Sequence, residues 1–160
     1  MERYEKAFLA ACAAVLVIFL CALGYSSVAM NVHLPSFSGR IYCRAGQKLR
    51  KVLLKTPPFD HTGVREIAQG KYQAVVIAKT WAFTPNEIDL PVGAEVRFVA
   101  TSVDVTHGFF IVGTRVNMML IPGQISEFTY RFTKPGEYLL ICHEYCGQLH
   151  HTMSGKVVVK

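Results

Sequence analysis

Three hydropathy regimes follow one another along the chain. From Ala7 to Met30 apolar side chains run on without a single charged residue. A helix needs about 20 apolar residues to cross ~30 Å of hydrocarbon, so residues 1–30 are read as a transmembrane anchor. Two other readings use the same stretch. Ser27-Val28-Ala29 offers small residues for a signal peptidase, but a signal h-region spans only about 7–15 residues, and this run is longer. Leu9-Ala10-Ala11-Cys12 superficially fits a lipoprotein signal, yet almost no apolar segment precedes Cys12. The second regime, residues 31–70, is broken by Pro35, Gly39, Gly46, Pro57, Pro58, Gly63 and Gly70 and reads as a linker. From Lys71 onward the chain turns to short strand-type runs. Tyr72–Ala78 is β-branched-rich, Glu95–Val99 alternates, and Phe109–Val112, Ser126–Phe132, Tyr138–Cys142 and Lys156–Val159 follow. Pro91-Val92-Gly93, Pro122-Gly123 and Pro135-Gly136 separate them. Short strands at such spacing predict an all-β Greek-key sandwich over residues 71–160.

Charge changes the picture only in the linker. The 160 residues carry 17 Lys and Arg against 11 Asp and Glu, a formal charge of +6. Arg40, Arg44, Lys48, Arg50, Lys51 and Lys55 hold much of that excess. Gln47 to Lys55 reads equally as a basic helical turn along a partner or lipid headgroups and as a solvated linker. Basic residues are nowhere interleaved with aromatics as a nucleic-acid face requires, so nucleic acid is not an expected partner. The positive-inside rule counts basic residues near the span. Arg3 and Lys6 precede it, none lies within Asn31–Gly39, and several follow, so the rule votes weakly and not for an outside C-terminal domain.

The chemistry sits in Cys142-His143-Glu144-Tyr145-Cys146-Gly147-Gln148-Leu149-His150-His151-Thr152-Met153, with His107 upstream in Asp104-Val105-Thr106-His107-Gly108-Phe109. Thiolate, thioether and imidazole are soft-to-borderline ligands, and suit copper better than calcium or magnesium. The spacing Cys-x3-Cys-x3-His-x2-Met suits a loop folding back over the end of a strand, with Gly147 allowing a sharp turn. Each residue has a plainer reading. The two cysteines could pair in an oxidising compartment, Met153 alone is ordinarily core, and His107 alone is ordinarily a hydrogen-bonded loop residue. Zinc accepts cysteine and histidine, but its usual paired spacing is absent. A mononuclear blue-copper site needs one cysteine, two histidines and a weak axial methionine. Here one thiolate is left over, and a bridging thiolate makes two copper ions the natural content.

From about Lys71 to Lys160 the chain resembles the CuA domain of haem–copper cytochrome c oxidase subunit II, in the short single-span form found with B-type (ba-type) oxidases. The resemblance is carried by Trp81-Ala82-Phe83-Thr84-Pro85-Asn86, the His107 segment, Pro135-Gly136-Glu137-Tyr138 and the Cys142–Met153 loop. It implies a cupredoxin-like sandwich and a dinuclear copper centre, CuA. It implies that Cys142 and Cys146 bridge both coppers, that His107 and His150 bind one each, and that Met153 and the Glu144 backbone carbonyl are weak axial ligands. His143 and His151 fall outside that pattern, and Leu149 stands where relatives often have a small residue. The implied role is the electron-entry subunit of a terminal oxidase in a prokaryotic cell membrane, single-pass, its C-terminal domain on the periplasmic or outer side. Its implied partners are the haem-containing subunit I and, as donor, a cytochrome c or small copper protein. Trp81, the only tryptophan, is the expected electron-entry point. Residues 71–160 show no acidic excess, so an apolar docking patch is expected. No group is placed as a general acid, base or nucleophile, so oxygen reduction is expected in the partner subunit. The alternatives are the copper subunit of a nitric-oxide reductase, a domain akin to that of nitrous-oxide reductase, and a membrane-tethered copper-binding or delivery protein.

Overall fold

The computed structural model describes residues 2–29 and 54–160. Met30, Cys43 and the basic run from Arg40 to Lys51 lie outside them.

Helix α1, Arg3–Ala29, is 27 residues long, about 40 Å at 1.5 Å per residue. Phe8, Leu16, Val17, Ile18, Phe19 and Leu20 leave no face of it polar, and all are exposed. A helix apolar all round buries its surface in a large core or in lipid. By length and composition α1 is able to cross a membrane, as the uncharged run predicts.

Ten strands lie among the other described residues: β1 Gly63–Ala68, β2 Lys71–Lys79, β3 Ala82–Thr84, β4 Glu87–Leu90, β5 Glu95–Ser102, β6 His107–Ile111, β7 Asn117–Leu120, β8 Ser126–Arg131, β9 Gly136–Ile141 and β10 Ser154–Val159. They form two five-stranded sheets. One runs β1-β2-β5-β8, with β3 also on β2, and the other runs β4-β10-β9-β6-β7. β1 pairs with the first half of β2 and β3 with the second, while β5 lies parallel along the whole opposite edge. The expected β-sandwich is therefore present.

The six expected strands recur as β2, β5, β6, β8, β9 and β10, with shifted ends. The structure adds β1, β3, β4 and β7. β1 falls inside the stretch read as linker, and so does Phe59, which is 4% exposed. Phe59 packs with Val75, Ile77 and Val99, and Leu54, Val103 and Ile125 close over them. That second cluster explains why β2 does not alternate. Ala74, Val76 and Ala78 belong to the main core and Val75 and Ile77 to the outer cluster, so both faces of the strand are buried.

Between the sheets the core is aromatic. Phe109 meets Phe83 edge-on at 5.8 Å and Phe98 at 5.7 Å, and Phe98 meets Phe132 at 6.2 Å. Phe98, Phe109 and Phe132 are essentially fully buried. Truncating any one to alanine should cost about 3–5 kcal/mol. Cys142, Cys146 and Met153 belong to the same cluster, so the loop chemistry is set into one end of a rigid core.

Candidate metal centre

Cys142 follows directly on β9, and its amide donates to the Met153 carbonyl at 3.1 Å. The chain between them is a loop that leaves one strand and returns beside it as β10. Gly147, at φ 119, occupies a conformation that only glycine takes easily. A single 3-10 turn, His150–Thr152, then carries His150 back toward the sulfurs.

The structure brings the sequence-predicted groups together around the two cysteine sulfurs. The sulfurs are 3.8 Å apart, and both thiols are free and buried. Around Cys142 Sγ lie His107 Nδ1 at 3.8 Å, the Glu144 carbonyl oxygen at 3.2 Å and the Gly108 amide, which donates at 3.4 Å. Around Cys146 Sγ lie His150 Nδ1 at 3.5 Å and Met153 Sδ at 3.7 Å. His107, Cys142 and Cys146 offer donor atoms all within 4.8 Å of one another. Two sulfurs, two imidazole nitrogens, a thioether and a carbonyl oxygen in one largely dry pocket form a donor set for soft, thiophilic metal and match copper.

Electrostatics fix the histidine. Partial burial pushes the Asp104 carboxyl up, but hydrogen bonds from Thr80, His107 and Val105 outweigh it and bring the group down from 3.8 to about 2. Asp104 is therefore a carboxylate at neutral pH and can only accept. His107 Nε2, 2.8 Å from Asp104 Oδ1, must then donate. The other ring nitrogen, Nδ1, is the atom that faces Cys142. Such an outer partner fixes both tautomer and ring orientation.

Cys146 is protonated more tightly than usual. Burial, with neighbouring Cys142 adding to it, pushes the Cys146 thiol up to about 11. A metal that takes both cysteines must displace their protons.

Trp81 stands on the two-residue connection between β2 and β3 and is 39% exposed. Its indole lies against Gly147, where a Cβ would come 3.3 Å from Nε1. His151 is exposed. His143 packs its ring on Gly108 and tilts against Phe110 at 6.0 Å, and it is not among the donors gathered around the sulfurs. Sequence reasoning singled out neither Asp104 nor Gly108. The Asp-x-x-His spacing at a turn was the available signal for the first; the second needed the fold.

A family model for cytochrome c oxidase subunit II, periplasmic domain, matches residues 68–160. Cytochrome c oxidase subunit 2 of Thermus thermophilus is 34% identical over 157 residues, covering 98% of this chain and 92% of that one. A chain of a haem–copper terminal oxidase dimer solved by cryo-EM superposes with a TM-score of 0.75 at 31% identity, covering 99% of this chain and all of that one. The periplasmic domain of subunit II of cytochrome oxidase from Bradyrhizobium japonicum shares the cupredoxin-like fold, with a TM-score of 0.52 at 24% identity, over 55% of this chain and 83% of that one.

Proposed function

The chain belongs to the cytochrome c oxidase subunit II family, and on that premise we propose that it is the electron-entry subunit of its oxidase. It is part of a haem–copper oxidase, an oxidoreductase complex, and so has a subunit I as partner. In this reading electrons arrive from a cytochrome c or small copper protein, pass through a dinuclear CuA centre and go on to the haem of subunit I, where oxygen is reduced. The observation that carries it is the pair of buried thiols 3.8 Å apart, each flanked by its own imidazole nitrogen.

Cys142, Cys146, His107, His150, Met153 Sδ and the Glu144 carbonyl would together hold the two copper ions. When bound, two coppers sharing two thiolates supply an unpaired electron spread over both ions, so that one added electron changes each bond little. The protein's part is to hold its donors still. His107 opens β6, Cys142 follows β9, and Met153 precedes β10, so three donors hang on one sheet. Asp104 holds the His107 ring in orientation. The buried core around Cys142, Cys146 and Met153 excludes water, which keeps the cost of reorganisation low. Trp81, at the surface beside Gly147, offers an apolar face where a soluble donor can dock.

Residues 1–30 would anchor the subunit as a single pass in a prokaryotic cell membrane, and the copper-bearing domain, which takes in β1 and Phe59 from the end of the stretch read as linker, would face the periplasmic or outer side, where a soluble donor diffuses. The direct test loads the full chain with copper and measures the ratio of copper to protein together with the EPR spectrum. Two coppers per chain and a mixed-valence signal shared by both ions are expected. One copper with a mononuclear blue spectrum would reject the dinuclear reading.

A further inference from the structure

Gly108 lies inside β6 and is not one of the left-handed glycines among the described residues. Its backbone conformation does not call for glycine, and glycine weakens a strand because it packs no side chain. Space is the reason for it. A Cβ here would stand 2.6 Å from the His143 backbone nitrogen, and 1.7 Å and 2.5 Å from Nδ1 and Cε1 of the His143 ring. The ring can turn aside. The peptide cannot retreat without taking Cys142 with it. The same contact marks where β9 leaves the sheet. β9 pairs with β6 at Ile141–Phe110 and Leu140–Ile111, and the pairing stops there. Continued in register, it would run His143 alongside Gly108. Instead the chain folds onto the bare backbone of that glycine. The fold leaves Cys142 Sγ 3.4 Å from the Gly108 amide, which donates to it, 3.8 Å from His107 Nδ1 and 3.2 Å from the Glu144 carbonyl oxygen.

We propose that Gly108 is a positioning residue for the metal centre: its bare backbone is the seat on which the Cys142–His143 peptide rests, and the seat sets how close Cys142 Sγ and the Glu144 carbonyl stand to His107. A methyl group at this position would lift the peptide by several tenths of an ångström before the contact became ordinary. Donor groups need to hold their places to within about 0.5 Å, so a lift of that size matters. It would draw Cys142 away from His107 and from the Gly108 amide. The Cys146 side hangs on other elements and would keep its neighbours. The two halves of the donor set would then differ more than they do now. An electron stays evenly shared between two metal ions only while their surroundings stay matched. The effect on the centre rests on the copper reading above; the seat does not.

His107-Gly108 is the one His-Gly pair in the sequence. Labelling histidine with carbonyl ¹³C and glycine with ¹⁵N therefore selects a single amide, that of residue 108, in the full chain in detergent. Labelled alanine selects it in Gly108→Ala. In the metal-free wild type this amide should be protected from hydrogen exchange. Cys142→Ala, which removes the acceptor, should lower the protection by about threefold or more, and Gly108→Ala should do the same. In the copper-loaded chain Gly108→Ala should keep a mixed-valence EPR signal but move the ratio of the two copper hyperfine couplings away from the wild-type ratio. His143→Ala, which removes the ring and keeps the peptide, should leave the ratio unmoved. The double variant Gly108→Ala/His143→Ala should stay shifted, because the peptide is still in the way. A wild-type ratio in Gly108→Ala or in the double variant overturns the seat, and so does a shifted ratio in His143→Ala alone. If Gly108→Ala does not fold, the other two variants decide. Equal protection in wild type and Cys142→Ala, or a shifted ratio in His143→Ala, overturns the proposal, and the opposite results uphold it. Absence of a copper pair in the wild type, with the protection pattern as expected, removes the functional reading and leaves the seat standing.

Discussion

The surroundings of Cys142 and those of Cys146 are built from different materials. Cys142 sits at the end of β9, and two of its neighbours, His107 and Gly108, open β6. His107 is wholly buried and is held from behind by Asp104. Cys146 sits in mid-loop. Its neighbours arrive on a single 3-10 turn and on the residue before β10. His150 is only half-buried, and the ring beside it at 5.9 Å, Tyr145, is 79% exposed. The lesson is a division of labour within one pocket. The strand-borne side resists distortion, and the loop-borne side reaches the surface, where charge can enter or leave. Nothing in the chemistry of the two cysteines distinguishes them; the distinction comes from what they hang on.

The largest expected effect treats the two sides as one. Replacing Cys146 with serine removes one of the two sulfurs of the proposed copper pair, and the mixed-valence EPR signal expected of that pair should disappear. A spectrum identical to wild type would mean that the two cysteines do not share the metal, and the comparison would lose its basis.

The next effect separates them. His107→Ala leaves a cavity in a fully buried site and takes a donor away from Asp104. Unfolding of the metal-free protein by urea should show a loss of about 2–4 kcal/mol, as for buried truncations. His150→Ala touches a partly solvated turn and should cost about 0.5 kcal/mol or less. Added imidazole should restore a copper spectrum to His150→Ala, because that position opens toward solvent, and fail with His107→Ala. Equal destabilisation, or rescue of both, would erase the proposed difference between the strand-borne and loop-borne sides.

How much of this could be read from the chain follows the same division. Cys142, Glu144, Cys146, His150 and Met153 lie within twelve residues, so their chemistry shows as a local pattern. The strand runs with strong β-branched or alternating character are legible too. β3 and β4 are three and four residues long, too short for periodicity to register. β1 is almost wholly exposed as an edge, and its apolar Val64 and Ile67 do not alternate. Phe59 sits among prolines and reads as linker, yet it seals the outer face of β2. Thr80 and Asp104 are 24 residues apart, and only the parallel pairing of β2 with β5 brings their turns together. Contacts of that kind are set by topology, which no local window contains.

The smallest effect concerns pH and tests whether Asp104 is what stiffens the Cys142 side. Its carboxyl has an ordinary value of 3.8 and stands at about 2 in the folded chain, where partial burial opposes the shift and hydrogen bonds from Thr80, His107 and Val105 drive it. The folded state therefore binds this proton less readily than the unfolded state. By linkage, the stabilisation is fully present above pH 3.8 and is lost as pH falls toward about 2. Asp104 is 24% exposed, so solvent screens part of the interaction and the gain is modest. Asp104→Asn cannot carry the charge and cannot accept with both oxygens. Wild type should then be the more stable of the two in urea at about pH 5 and lose most of that lead by about pH 2.5, with both proteins metal-free. A lead that stayed constant across this range would show that the Asp104 charge contributes nothing to folding, and that the orientation of His107 is imposed by packing in the sheet alone.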